Sequence, residues 1–330
     1  MPGSNSTPKK RRYPPKRSSS RPEGKAKKSA CACTGGRAPL TSYAPPHPSE
    51  FPMLTNTFVH ISGIGPTTEQ AIWRAGIHTW SQFRAPATTS LSPKVRHLVT
   101  NHLQRQPRSA LHSPAYFYEN LPSSQQWRLF PHFRHRTAYL DIETTGISRE
   151  QSSITTIALY NGEEVFTFVQ GDNLDEFPDH LAGYDVIVTY NGKGFDVPML
   201  ERCFAMKISQ AHLDLRPILA ALGYKGGLKG CERQLGLDRR DLTGVDGYDA
   251  VILWRRYQKS GHTELLNTLL AYNVADTINL EPLMVQAYNL HIAATPFALD
   301  NYLAAPQAAA NPFQADADLV RGLRQGRVYR

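Results

Sequence analysis

Three short segments carry acids in positions that invite chemistry. Asp141 and Glu143 stand two apart in Thr137–Thr144, a run with strand character. Side chains alternate along a strand, so both carboxylates share one face while Ala138, Leu140 and Ile142 share the other. Two ionised acids side by side on a buried strand repel each other and are costly to desolvate, and a divalent cation relieves both problems. The plain alternative is a pair of exposed acids at a strand end. Asp196 closes the glycine-rich loop Tyr190-Asn191-Gly192-Lys193-Gly194-Phe195-Asp196, which follows the apolar run Val186–Val188. It reads as a ligand near the end of a central strand, where α/β sheets place their sites, or as the cap of a helix Val197–Cys203. One carboxylate can do both. Tyr272 and Asp276 are four apart in a strongly helical stretch and share one face. Aspartate is a poor interior helix former, so its place among Leu269, Leu270, Val274, Ile278 and Leu280 asks for a reason beyond an exposed face.

Bringing these segments together takes a sheet and helices. Strands are expected at Thr137–Thr144, Ile154–Tyr160, Glu164–Val169 and Asp185–Tyr190, with a hairpin at Asn161-Gly162. A further short strand holds His212-Leu213-Asp214, with Asp214 read as structural and His212 as a packing or hydrogen-bonding residue. Helices are expected over Tyr248–Lys259 and Glu264–Leu290, and Asp246 reads as an ordinary Asp-Gly turn residue. Strands first and helices on the faces give an α/β layered domain over residues 137–290. Residues 107–136 read as an irregular linker punctuated by Pro107, Pro114, Pro122 and Pro131, and residues 291–330 as a loosely attached tail.

Composition bounds the function classes. Of 330 residues, 41% are hydrophobic and 20% charged, ordinary globular usage that excludes wholesale disorder. No apolar run approaches membrane-spanning length, and no secretory signal is expected. Four cysteines make no disulfide framework, which fits a reducing, cytoplasmic compartment. The net charge of +9 is local: residues 1–50 hold 11 Lys+Arg and 2 Glu, leaving 26 basic and 26 acidic residues elsewhere. Residues 1–50 are expected to be a disordered basic tail. It reads as a phosphate-binding arm, a nuclear-import signal or a solvated tail. Cys31 and Cys33 lack the further ligands a zinc site needs.

In order, the acids are Asp-Glu, Asp, Asp, on a strand, a strand end and a late helix. This pattern resembles the DEDD exonucleases of the ribonuclease H-like superfamily. The resemblance rests on Asp141-Ile142-Glu143-Thr144-Thr145-Gly146, on Asn191 four residues before Phe195-Asp196, and on Tyr272 four before Asp276. The last spacing resembles the tyrosine subclass; Ala271 stands where the histidine subclass has its His. The Asn191-Gly192-Lys193 loop and the Gly226-Gly227-Leu228-Lys229 turn are most similar to the YprB-type domain. The resemblance covers residues 137–290 and implies a mixed sheet flanked by helices. It implies that Asp141, Glu143, Asp196 and Asp276 hold two ions, Mg²⁺ or Mn²⁺, and that Tyr272 orients the attacking water. It further implies a metal-dependent nuclease, a 3′–5′ exonuclease acting on DNA or RNA by a two-metal mechanism. Lys193 and Lys229, with Asn191, would contact nucleic acid; Arg202 and Arg216 are further candidates for a phosphate path, or ordinary surface charge.

Upstream, Leu54, Phe58 and Ile61 fall at helix spacing before Ser62-Gly63-Ile64-Gly65-Pro66, and Ala71, Ile72 and Ala75 stripe a second helix. Gly76 reads as its stop, Thr79 as the cap of a short piece with Trp80 and Phe83, and Val95–Leu103 as a further helix. Residues 51–106 thus read as a small all-α domain. Its glycine turn resembles a helix–hairpin–helix motif, which implies phosphate contact by Gly63, Gly65 and Thr67, and tilts the partner toward DNA over RNA. A membrane partner is not expected. Two other readings stand beside the nuclease: a catalytically silent nucleic-acid-binding protein of the same fold, and a protein-interaction scaffold without metal.

Overall fold

A computed structural model describes residues 52–325 apart from 84–89, 147, 149, 238–244 and 308. The basic segment 1–50, with the disorder and phosphate-binding arm expected of it, lies outside the described residues.

Five strands form one sheet: β1 (Thr137–Thr144), β2 (Ile154–Tyr160), β3 (Val165–Val169), β4 (Val186–Thr189) and β5 (Ala211–Asp214). Their order is β3-β2-β1-β4-β5, with β1–β2 and β2–β3 antiparallel and β1–β4 and β4–β5 parallel. The expected strands are all present, shortened by a residue or two at β3 and β4. Asn161 makes the β2–β3 turn: its side-chain oxygen accepts from the amides of Glu163 at 2.9 Å and Glu164 at 2.7 Å. Central β1 pairs with β4 only from Thr137 to Tyr139, so its last residues run beyond that neighbour.

The helices of eight or more residues are α1 (Pro66–Arg74), α2 (Pro93–Arg105), α3 (Asp196–Phe204), α4 (Gly227–Gln234), α5 (Gly247–Ser260), α6 (Thr263–Ile278), α7 (Leu280–Ala293) and α8 (Ala317–Arg324). On one face of the sheet, Ala138, Leu140 and Ile142 pack with Met199 and Leu200 of α3, as the alternation requires. On the other face, Tyr139 and Val188 pack with Leu283 and Tyr288 of α7. Among the described residues, no helix is long and apolar enough to cross a membrane.

Four expectations need correction. The single helix Glu264–Leu290 is two, broken at Asn279. Pro282 stands in the first turn of α7, where its missing N–H costs nothing; mid-helix its ring would clash with the Ile278 carbonyl. The first helix of the upstream pair is one turn, Pro52–Thr55, and Phe58 and Ile61 lie in the turns after it. The cause is Glu69, whose buried carboxylate draws in the amides of Phe58 at 2.6 Å and Val59 at 3.0 Å and so ends the helix. Residues 107–136 are a chain of short helical turns, not irregular linker. Ser113 caps the helix Pro114–Asn120, Pro107 and Pro122 precede 3₁₀ turns, and Pro131 sits in the first turn of Phe130–Phe133. Here proline marks helix starts, and Phe117, Trp127, Leu129 and Phe130 are fully buried. The segment after 291 is attached, not loose: Phe313, Val320 and Leu323 pack on Leu265, Leu269 and Tyr272 of α6. Asn311 donates to the Ala271 carbonyl at 2.7 Å. The three remaining upstream expectations hold: α2 spans Val95–Leu103, Gly76 takes φ +79° just past α1, and Thr79 accepts from the Gln82 amide ahead of Trp80–Phe83.

Candidate active site

β1 carries two of the acids on its α6 side. The β1–β2 register shifts between Glu143 and Thr144, so Thr155 is an extra residue on β2 opposite the acids. Such bulges re-aim side chains and recur beside active sites. Glu143 is 8% exposed and Asp141 half-buried.

Asp196 arrives from the β4–α3 connection. Asn191 takes φ +64°, a left-handed conformation that asparagine tolerates, and its amide donates to Asp214 at 2.8 Å. Gly192 is required by space: a Cβ there would lie 2.2 Å from Thr189 Oγ1, which His212 Nε2 holds at 2.7 Å. Gly192→Ala should therefore destabilise the fold by about 1–3 kcal/mol through overpacking. A urea melt unchanged from wild type would refute this. Asp196 occupies the first position of α3 rather than capping it; Phe195 flanks the helix. Its carboxylate accepts from its own amide and from that of Ile142, on the edge of β1 that β4 leaves open.

Tyr272 and Asp276 come from α6, 3% and 6% exposed. Lys229 of α4 places its ammonium 4.7 Å from the Tyr272 ring centre and donates to the Val245 carbonyl. Between them in sequence, Asn273 is fully buried. It donates to Asp141 Oδ2 at 2.7 Å and accepts from Thr156 Oγ1 at 3.0 Å. Asn273 was not singled out from sequence. The signal was there: an asparagine inside an apolar helix must be hydrogen-bonded, and it lies in the same segment as Tyr272 and Asp276.

The acids from all three segments feel one another. Asp141 is held far above the usual carboxylate range, first by burial, then by the charges of Asp276, Asp196 and Glu143, against the Asn273 hydrogen bond. Glu143 is likewise raised by burial and Asp276; Lys229 opposes this, and Asp246, the cap of α5, adds to it. Asp196 is pushed up to about 7, mainly by burial. Among the described residues, no three acid, His or Cys side chains are gathered tightly enough to hold a metal ion. The donors are hard oxygens with an excess of negative charge, which suits Mg²⁺ or Mn²⁺.

The raised acids dictate a pH dependence. An acid whose folded pKa exceeds its unfolded one contributes stability that is fully present below about 4. For Asp196 this stability is lost as pH rises through about 7. The melting temperature of the metal-free protein, relative to an Asp196→Asn variant, should fall from pH 5 to pH 8. Millimolar Mn²⁺ should recover the loss at pH 8 and do little at pH 5. A Mn²⁺ response equal at both pH values would count against a metal on these acids.

The other expected contact residues are distributed. Lys193 donates to Gln126 at 2.9 Å with its ammonium over the Tyr118 ring. Asn191 accepts from Arg216 at 2.6 Å. Arg202 donates to the Ser152 carbonyl. Asp214 and His212 are structural, as read. Gly63 and Gly65 belong to the turn before α1 and Thr67 to the first turn of α1 itself; Thr67 is exposed.

Residues 138–288 match the RNase_H_2 family model of the RNase H superfamily. This segment is a ribonuclease H-like domain. One solved structure, a family B DNA polymerase from the hyperthermophilic archaeon Pyrobaculum calidifontis, is similar with a TM-score of 0.31 and 14% identity. The likeness covers 47% of this chain and 29% of that chain. A search of curated proteins finds no match. In the ribonuclease H-like domain all four acids lie on or beside the central strand, three of them through β1 and its open edge.

Proposed function

We propose that this protein is a metal-dependent nuclease, a 3′–5′ exonuclease of the DEDD type, tyrosine subclass. The observation that supports it best is the convergence of four acids from β1, α3 and α6 on one buried spot, where burial and then the charges of Asp276, Asp196 and Glu143 raise the pKa of Asp141. Asp141, Glu143, Asp196 and Asp276, which as they stand are not gathered into a metal-holding group, would draw together around two divalent ions. Such ions supply an activated water and neutralise the leaving oxygen. Asn273 fixes the direction of the Asp141 carboxylate. Tyr272 would donate a hydrogen bond from its phenol to the attacking water. Lys229 offsets part of the acid cluster's charge beside Glu143.

The same proposal takes the turn before α1 as a phosphate contact. Gly65 flanks α1 and offers no side-chain cap, so no cap side chain occupies the first amides of the helix. This is the feature that supports a helix–hairpin–helix role for Gly63, Gly65 and Thr67 despite the one-turn first helix.

The deciding experiment is cleavage of 5′-labelled single-stranded and duplex DNA and RNA with Mg²⁺, Mn²⁺ or EDTA, beside an Asp141→Ala, Glu143→Ala double variant. The expected result is a metal-dependent ladder shortening from the 3′ end, absent in the variant. Binding without cleavage on every substrate would replace the nuclease by a catalytically silent binder of the same fold.

A further inference from the structure

A cleft of about 470 Å³ is lined by Tyr190, Asn191, Arg216, Tyr224, Lys225 and the Gly226-Gly227 turn. It shares Asn191 with the loop that delivers Asp196. It also shares the start of α4 with Lys229, whose charge reaches Glu143. A polyanion approaching an acidic site needs cations on its route. Lys193 and Lys229 are held by neighbouring carbonyls and rings. Arg216 and Lys225 are exposed and line the cleft. Arg216 spends one of its N–H groups on Asn191 Oδ1, and a guanidinium has five.

The walls add a second kind of contact. Tyr190 and Tyr224 are half-buried, anchored yet presenting ring surface. The Tyr190 hydroxyl is 3.7 Å from Cys231 Sγ, which fixes that ring. Gly226 and Gly227 take φ +101° and +73°, so that side of the cleft is bare backbone, with open space where a Gly227 side chain would stand. Cations for phosphates, aromatic faces for bases and no side chain between them are what an unpaired polynucleotide strand requires.

We propose that this cleft is a subsite for single-stranded nucleic acid, holding the nucleotides next to the one being removed, with a phosphate on Arg216 and Lys225 and a base against Tyr190 or Tyr224. The inference rests on the nuclease reading and adds strand class to it: bases must be unpaired to enter, so a blunt duplex has to fray first.

The test uses the full chain. Fluorescence anisotropy with 5′-fluorescein dT15, U15 and a blunt 15-base-pair duplex is read in EDTA, and cleavage of the same probes in Mn²⁺. Wild type should bind and cleave single strands better than the blunt duplex. A Tyr224→Ala, Lys225→Ala variant should weaken single-strand binding about tenfold, the scale of one lost base stack, and lose the preference. Lys225→Glu, a change at an exposed side chain, guards against misfolding and should weaken binding in the same direction. Lys207→Ala, which is fully outside the cleft, should match wild type. The dT15 and U15 arms tell DNA from RNA. Single-strand affinity unchanged in both cleft variants, or blunt duplex cleaved as fast as single strands, overturns the subsite while leaving the nuclease standing. A wild type that neither binds nor cleaves any probe overturns both.

Discussion

Replacing Asp141 by Asn is expected to abolish the proposed cleavage, a fall of about 10³-fold or more, because removing one of the carboxylates proposed to hold metal would forfeit several kcal/mol at the transition state. The geometry makes this variant cleaner than most. Asp141 Oδ2 accepts from Asn273 Nδ2 at 2.7 Å, and an asparagine at 141 can still present an oxygen there. The isosteric change also removes an acid whose ionised form is disfavoured by burial and by the charges of Asp276, Asp196 and Glu143. The metal-free variant should therefore melt at a higher temperature than wild type at pH 8, and at nearly the same temperature at pH 5, where the raised Asp141 carries its proton. Lost activity with raised stability excludes unfolding as the cause. Cleavage within tenfold of wild type would remove Asp141 from the site.

Arg128→Ala should destabilise the protein by about 3–5 kcal/mol, the usual cost of breaking a buried ion pair from one side. Arg128 and Glu69 are 3% and 1% exposed and joined at 2.8 and 2.7 Å through both guanidinium nitrogens. The guanidinium also reaches Thr57 Oγ1 at 3.2 Å and lies over the rings of Trp73 and Trp127. Deleting it leaves the Glu69 charge buried with only the amides of Phe58 and Val59 for company. Arg128→Lys keeps the charge but not the two-pronged geometry and should fall between. Urea denaturation gives the values; a loss below about 1 kcal/mol would mean that the pair is relieved by water or movement.

What was legible in the sequence follows from which forces are local. Strand alternation in β1 and the Asn161-Gly162 turn are nearest-neighbour effects, and both were read with correct or nearly correct bounds. The acids were legible because Asp141, Glu143 and Asp276 sit where a purely structural residue would be apolar. Glu69 shaping the backbone at Phe58 acts across 11 residues and its partner Arg128 across 59, beyond any local pattern. The prolines of 107–136 misled because the same residue that interrupts a helix also starts one. Asn273 was overlooked since its two partners, Asp141 and Thr156, are each more than 100 residues away. The C-terminal segment looked loosely attached because its anchors are a few scattered residues, Phe313, Val320 and Leu323, in an otherwise polar and alanine-rich stretch.

That last attachment bears on when the protein becomes competent during its own synthesis. The helix carrying Tyr272, Asn273 and Asp276 is roofed on its outer side by residues 311–323. While a ribosome still holds that stretch, Leu265 and Leu269 have no cover and the acids have no settled fourth member. Chains emerge N-terminus first, so the sheet and the first three acids exist before the helix that completes them can be seated. The order of translation thus keeps the acid cluster unassembled until residues 311–323 have left the ribosome.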